Sequence, residues 1–236
     1  MTPSTALKVL TIDLDDTLWP CAPPIRLAEA QLLDWFGAVA PEVVGRHDQT
    51  SLREHRMGVM RARPDLAHDV TALRRESLRL LLGDFGYPPG LADEGMAVFM
   101  TARNRVEPYP EVPAALRALA GRYCLISVTN GNSDLERTPL RGLFHHSLTA
   151  GTVGAAKPDP ALFLRALELA GAEASEALHL GDDPALDVAA AQSLGLVAVW
   201  VDRFGRDWPA HLPSPDGVVT DLDGFCTWLE GRDHGL

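Results

Sequence analysis

Cysteine is nearly missing from this chain: there are three in 236 residues, Cys21, Cys124 and Cys226. They are odd in number and far apart, and no pair has zinc or redox spacing. Neither a disulfide framework nor a cysteine-held metal is therefore expected, and reduced thiols in a cytoplasmic protein are. Positive charge is also short. Lys and Arg total 21 against 32 Asp and Glu, a net charge of −11. Nucleic acid and anionic membranes bind through a basic face, so neither is expected as a partner. No apolar run approaches the roughly 20 residues of a membrane span. Met1 to Thr5 has neither the basic start nor the long apolar stretch of an export signal. Internal repeats and low-complexity tracts are absent too.

What is present suits a globular chain, with 46% hydrophobic residues and enough length to bury a core unaided. Residues 7–12 (LKVLTI) read as a buried strand ending at Asp13, and apolar runs recur at 123–128, 177–180 and 196–201. Helical patterns lie between them. Val112, Ala115, Leu116 and Leu119 share one face, and so do Phe163, Ala166, Leu167 and Ala170. Alternating strands and amphipathic helices predict an α/β fold with a doubly wound parallel sheet, whose ligands bind at the carboxyl ends of the strands.

The stretch from Cys21 to Val106 breaks this rhythm. It has no convincing strand but four helical segments, 25–36, 42–61, 71–85 and 91–105, punctuated by Pro41, Pro64 and Pro88–Pro89–Gly90. Leu78, Leu81, Leu82 and Phe85 form one apolar stripe. These segments read as an inserted helical-bundle cap domain, residues 21–106, between the two parts of the core, 1–20 and 107–236. Both crossings contain proline, and Trp19 and Cys21 stand near the first.

Four short motifs stand out, three of them directly after apolar runs. Asp13–Leu14–Asp15–Asp16–Thr17 follows the first strand, and an extended chain points Asp13 and Asp15 the same way. Paired carboxylates attract a divalent cation, and hard oxygen ligands with a phosphate suit Mg²⁺; alone, such acids also make a turn or helix cap. Thr129–Asn130–Gly131 ends the second run and can hold a phosphate oxygen, or be a plain strand-end turn. Lys157–Pro158 precedes an amphipathic helix that the prolines stop from covering the lysine. Gly181–Asp182–Asp183, with Asp187, follows the third run; the acids could complete a metal site, and Asp187 could equally cap a helix. A fifth stretch, Asp221–Leu222–Asp223–Gly224, imitates the first, but Phe225 stands where Thr or Val belongs and too little chain follows. It reads as the capped start of a last helix ending near Leu229.

In order, placement and separation, DxDxT, Thr–Asn, Lys–Pro and GDD with a further Asp resemble the four motifs of the haloacid dehalogenase superfamily, across nearly the whole chain. The resemblance implies a phosphatase in which Asp13 attacks phosphorus to form an aspartyl-phosphate and Asp15 is the acid/base. It implies Mg²⁺ held by Asp13, the Asp15 carbonyl and Asp182. Thr129 and Lys157 would bind the phosphoryl group, with Asn130 in that phosphate loop, and Asp183 and Asp187 would stand behind as supports. Haloacid dehalogenases themselves lack an aspartate two positions after the nucleophile and need no metal, so dehalogenation is the less expected reaction. A phosphomutase shares all four motifs, and a non-catalytic binding protein would be expected to have lost one.

The substrate is expected to be a small phosphate ester, selected by the cap. His68, Asp69, Thr71, Arg74 and Arg75 are the nominees for that selection, although Asp69 could simply cap its helix. His68–Asp69–Val70–Thr71, Thr129–Asn130–Gly131–Asn132 and His179–Leu180–Gly181–Asp182–Asp183 resemble the bacterial phosphatases acting on 5-amino-6-(5-phospho-D-ribitylamino)uracil in riboflavin synthesis, whose relatives also hydrolyse FMN. A sugar phosphate, phosphoglycolate or a nucleotide is the alternative. The oligomeric state is not legible.

Overall fold

The computed structural model describes residues 6–233; Met1 to Thr5, considered above for targeting, lies outside them. The chain opens with β1 (Val9–Ile12) and then enters five helices, α1 (Ala22–Val39), α2 (Pro41–Val44), α3 (Gln49–Ala62), α4 (Val70–Asp84) and α5 (Leu91–Arg103). It returns through α6 (Val112–Ala120), β2 (Cys124–Thr129), β3 (His146–Thr149), α7 (Ala150–Val153) and α8 (Ala161–Ala170). It closes with β4 (Ala177–Gly181), α9 (Ala190–Ser193), β5 (Val197–Val201), β6 (Gly217–Val219) and α10 (Leu222–Asp233).

The strands form one parallel sheet in the order β3-β2-β1-β4-β5-β6. Every residue of β1 is buried because the strand is central and both faces are covered. On one face the predicted stripe of α6 packs with Leu222, Phe225 and Leu229 of α10; on the other, Leu162, Phe163, Ala166 and Leu167 of α8 pack with α9. Strand order reverses direction at β1, between β2 and β4, and there a parallel sheet leaves a crevice at its carboxyl edge. The α/β doubly wound expectation therefore holds, and α1–α5 form the inserted helical bundle, with a separate apolar cluster that includes Phe36, Leu81, Leu82 and Phe99.

Three local expectations change. The helix expected over 42–61 is two helices. Gly45 ends α2, and Asp48 starts α3 with a capping box: its carboxylate accepts from Ser51 N at 2.8 Å, while its own N–H donates to Ser51 Oγ at 3.0 Å. Strands β3 and β6 went unread because they are short edge strands with one buried residue each, Leu148 and Val219, too few for a periodic signal. The second acidic motif does cap α10, Asp221 Oδ1 accepting from Gly224 N at 2.7 Å; that helix runs on to Asp233.

The three cysteines are free and half-buried. Among the described residues no helix is long and apolar enough to cross a membrane.

Candidate active site

Asp13, Thr129 and Gly181–Asp182 fall at the carboxyl ends of the adjacent strands β1, β2 and β4, so the sheet register brings them together. Asp13 is 7% exposed and its N–H is fixed on Leu180 O. Beside it Lys157 donates to Asp13 Oδ1 at 2.7 Å, Asp187 Oδ1 at 2.5 Å and Val128 O at 2.8 Å. An ammonium has three protons, and all three are engaged. Burial acts to lower the Lys157 pKa, but Asp13 and Asp187 outweigh it and hold the amine charged.

The lysine's backbone is held as firmly as its tip. Asn130 Nδ2 donates to Lys157 O at 2.9 Å, and Asn130 Oδ1 accepts from Lys157 N at 2.7 Å. The Asn130 side chain, expected among the phosphate contacts, is thus committed to aligning Lys157. Thr129 Oγ1 accepts from Gly131 N at 2.9 Å, which leaves its own proton free to donate.

Asp187 sits 2% exposed beneath these groups. Its Oδ1 also meets His179 Nε2 at 3.2 Å, and its Oδ2 accepts from Asp183 N at 2.9 Å. Burial works against its ionisation, but Lys157 and His179 pull its pKa below the carboxylate range. Gly181 permits this arrangement, because a Cβ there would lie 2.4 Å from Asp187 Cγ. Asp183 is a cap, its Oδ1 accepting from Ala185 N and Leu186 N, both at 2.8 Å.

Carboxylate oxygens of Asp13, Asp182 and Asp187 come within 4.8 Å of one another. Asp187 already accepts from Lys157, His179 and Asp183, so the acids with more coordination capacity are Asp13 and Asp182. Burial, then Asp187, pushes Asp182 up to about 7, although Arg206 Nη2 lies 3.3 Å from its Oδ2. Burial raises Asp13 as well, despite Lys157. The floor is short of positive charge and rich in hard oxygen, and its residues fit a divalent ion such as Mg²⁺.

Asp15 faces the same crevice and is held by Trp19, which the sequence placed only near the first crossing, and by Arg103, to which it did not point. Trp19 Nε1 donates to its Oδ1 at 2.9 Å, across a turn in which Asp16 takes φ 61°, tolerable for Asp. Arg103, the last residue of α5 and 2% exposed, places Nη2 at 2.8 Å from Asp15 Oδ1 and 2.5 Å from Oδ2. Behind them the backbone of Gly131 comes so close that a Cβ would lie 2.6 Å from Asp15 Oδ2. In the sequence Arg103 is simply a basic residue in a helix's last turn, 88 positions from its partner. Gly131 does stand in a motif.

A cavity of about 650 Å³ joins this floor to the helices above. Of the cap nominees, Arg74 lines it; His68, Asp69, Thr71 and Arg75 do not. Asp69 caps α4, accepting from Thr71 N and Ala72 N at 2.9 Å, and packs against Gly151 of α7. Thr71 Oγ1 accepts from Asn132 Nδ2 at 3.1 Å, and Arg75 pairs with Asp93 on the surface. These are contacts of α4 with the core loops and with its neighbour helix, which repetition on a helix face cannot distinguish from cavity contacts. Arg56 of α3 enters the cavity without having been foreseen.

The doubly wound sheet thus carries a buried aspartate–lysine–aspartate chain at its switch point and is roofed by an inserted helical bundle. The chain belongs to the haloacid dehalogenase-like hydrolases, whose family model matches residues 7–195. It is 32% identical over 218 residues to the 5-amino-6-(5-phospho-D-ribitylamino)uracil phosphatase YigB of Escherichia coli K12, covering 89% of this chain and 91% of that protein. It is 41% identical over 155 residues to a phosphoserine phosphatase of Thermus thermophilus, covering 63% and 62%. The solved structure of a 2-haloacid dehalogenase from Pseudomonas syringae pv. tomato DC3000 superposes with a TM-score of 0.90 at 40% identity, over 96% of this chain and 99% of that one.

Proposed function

We propose that this protein is a Mg²⁺-dependent phosphomonoester hydrolase working through an aspartyl-phosphate on Asp13. The observation that carries this reading is the second carboxylate, Asp15, held beside the nucleophile by Trp19 and Arg103. It supplies the acid/base that a dehalogenase of this family does without.

In the first half-reaction an Asp13 oxygen attacks phosphorus in line while Asp15 donates a proton to the departing alkoxide. In the second, Asp15 takes a proton from the water that attacks the acyl phosphate, and inorganic phosphate and free Asp13 result. Thr129 Oγ1 donates to a phosphoryl oxygen. As Asp13 loses its charge to the new acyl phosphate, the hydrogen bond that Lys157 donates to it shifts to a phosphoryl oxygen, so the ammonium follows the negative charge. Asn130 and Asp187 keep the ammonium on that path. Mg²⁺, held by Asp13, the Asp15 carbonyl and Asp182, would neutralise the phosphoryl group and fix its orientation.

Residues 21–106 act as a cap domain over a core of 1–20 and 107–236, excluding water from the cavity. Similarity to YigB over nine-tenths of that protein supports 5-amino-6-(5-phospho-D-ribitylamino)uracil as substrate; the reading extends to FMN and to a cytoplasmic setting, and a sugar phosphate, phosphoglycolate or nucleotide is the alternative. A second reading, 2-haloacid dehalogenation, is favoured by the solved relative at 40% identity and opposed by Asp15.

The test is phosphate release from p-nitrophenyl phosphate with and without Mg²⁺, beside halide release from 2-chloropropionate. The wild type is expected to release phosphate only with the metal, and Asp13→Asn to lose about 10⁴-fold. Halide release without phosphate release would overturn the phosphatase reading.

A further inference from the structure

Two polar side chains lie inside the sheet where apolar ones would pack. Thr11 of β1 and His179 of β4 stand opposite one another in the parallel register, and both are completely buried. The His179 ring meets the edge of Phe163 of α8, centroids 4.9 Å apart, in the apolar layer on that side of the sheet. Burying such groups is costly unless they are hydrogen-bonded, so each partner matters. Thr11 Oγ1 lies 2.9 Å from His179 Nδ1 and 3.2 Å from Leu178 O, and His179 Nε2 lies 3.2 Å from Asp187 Oδ1.

These contacts fix where the ring carries its proton. Asp187 is ionised and can only accept, so Nε2 must donate. Nδ1 then either accepts from the Thr11 hydroxyl, giving a neutral ring, or donates to it, giving an imidazolium. Burial outweighs the pull of Asp187 and holds the ring's pKa below the ordinary histidine value. The ring is thus neutral, and the Thr11 proton serves Nδ1, the nearer of its two acceptors. A chain of hydrogen bonds results, from Thr11 through His179, Asp187 and Lys157 to Asp13.

In that chain Asp187 Oδ1 accepts twice, from the ammonium and from the ring. The second donor disperses charge on the oxygen, which then pulls less hard on Lys157. We propose that His179 is a positioning residue for the nucleophile: its Nε2–H, oriented by Thr11, limits how far Asp187 draws Lys157 away from Asp13. The assignment rests on Asp13 as nucleophile in the phosphatase reading and extends its supports one layer down, to two residues outside the cavity lining.

The experiment uses the full chain with Mg²⁺ and p-nitrophenyl phosphate. His179→Leu suits the apolar layer and removes the donor, whereas His179→Gln offers an amide N–H where Nε2 stood. kcat is expected to fall about tenfold in His179→Leu, a hydrogen bond to a charged group being worth roughly that factor, and to stay within about threefold of wild type in His179→Gln. Denaturant melts of both variants accompany the rates. Equal losses in the two variants, or turnover that tracks their stability instead of the donor, overturn the assignment. So does wild-type turnover in His179→Leu. Nitrogen NMR of the histidine-labelled wild type needs no variant and should show His179 protonated at Nε2 alone; a proton on Nδ1 overturns the chain. Failure of the phosphatase reading shows separately, as absent turnover of p-nitrophenyl phosphate in the wild type with that nitrogen spectrum as expected.

Discussion

The floor and the roof of the cavity are built on opposite principles. On the floor, residues at strand ends and in the loops and turn beside them lock onto one another: Asp13 on Lys157 at 2.7 Å, Lys157 on Asp187 at 2.5 Å, and Asn130 on the lysine's backbone. On the roof, long side chains reach from helix faces, as Arg103 does to Asp15 and Arg74 to Phe99. Strand ends fix where a carboxylate stands, whereas a helix face sets only a direction and packing decides what the tip touches. On the proposed function, the floor carries the chemistry and the roof the selection.

Among substitutions that probe this contrast, the largest expected effect on stability comes from forcing the floor apart. In Gly181→Ala the new Cβ would occupy the place of Asp187, so either a buried charge moves or the strand does. A stability loss of about 2–3 kcal/mol in a denaturant melt is expected, with turnover falling alongside. Wild-type stability would mean the floor is more pliable than its hydrogen bonds imply. Arg103→Met probes the seam between the regions. It keeps the stem and removes the contact to Asp15, so turnover of alkyl phosphates should fall by about 10²-fold. p-Nitrophenyl phosphate, whose leaving group needs no proton, should suffer much less. Equal losses on both would assign Arg103 to folding rather than to positioning the acid. Smallest is Asp69→Ala, a roof substitution outside the cavity. Losing the α4 cap should cost about 1 kcal/mol in the same melt. A change in KM among substrates would restore Asp69 as a selector.

The same contrast explains what could be read in advance. Asp13, Thr129 and Asp182 follow apolar runs in a fixed order, so sheet topology alone assembles them at one edge, while Lys157 reaches them from the loop between α7 and α8. The parallel sheet was legible for the same reason, through four mostly apolar strands; β3 and β6, with one buried residue each, left no pattern. On the roof, Arg74 was one nominee among five because α4 carries basic and polar residues on several faces. Arg103 and Arg56 were invisible, since only the packing of α5 and α3 aims them. Asn130 shows a subtler limit. Its place in the loop after β2 was readable, but its partner, the backbone of Lys157, lies 27 residues on.

Of the 21 cationic residues, 19 are arginines and two are lysines, Lys8 and Lys157. Lys8 pairs with Glu176 and is 61% exposed, whereas the Lys157 side chain is 2% exposed with every proton engaged. An acylating reagent that attacks lysine amines therefore finds one lysine while the floor is closed and two when it opens. The charge that neutralises the carboxylates thus doubles as a tamper seal: a second acyl group on lysine, read by peptide mass, dates the opening of the floor without any substrate present.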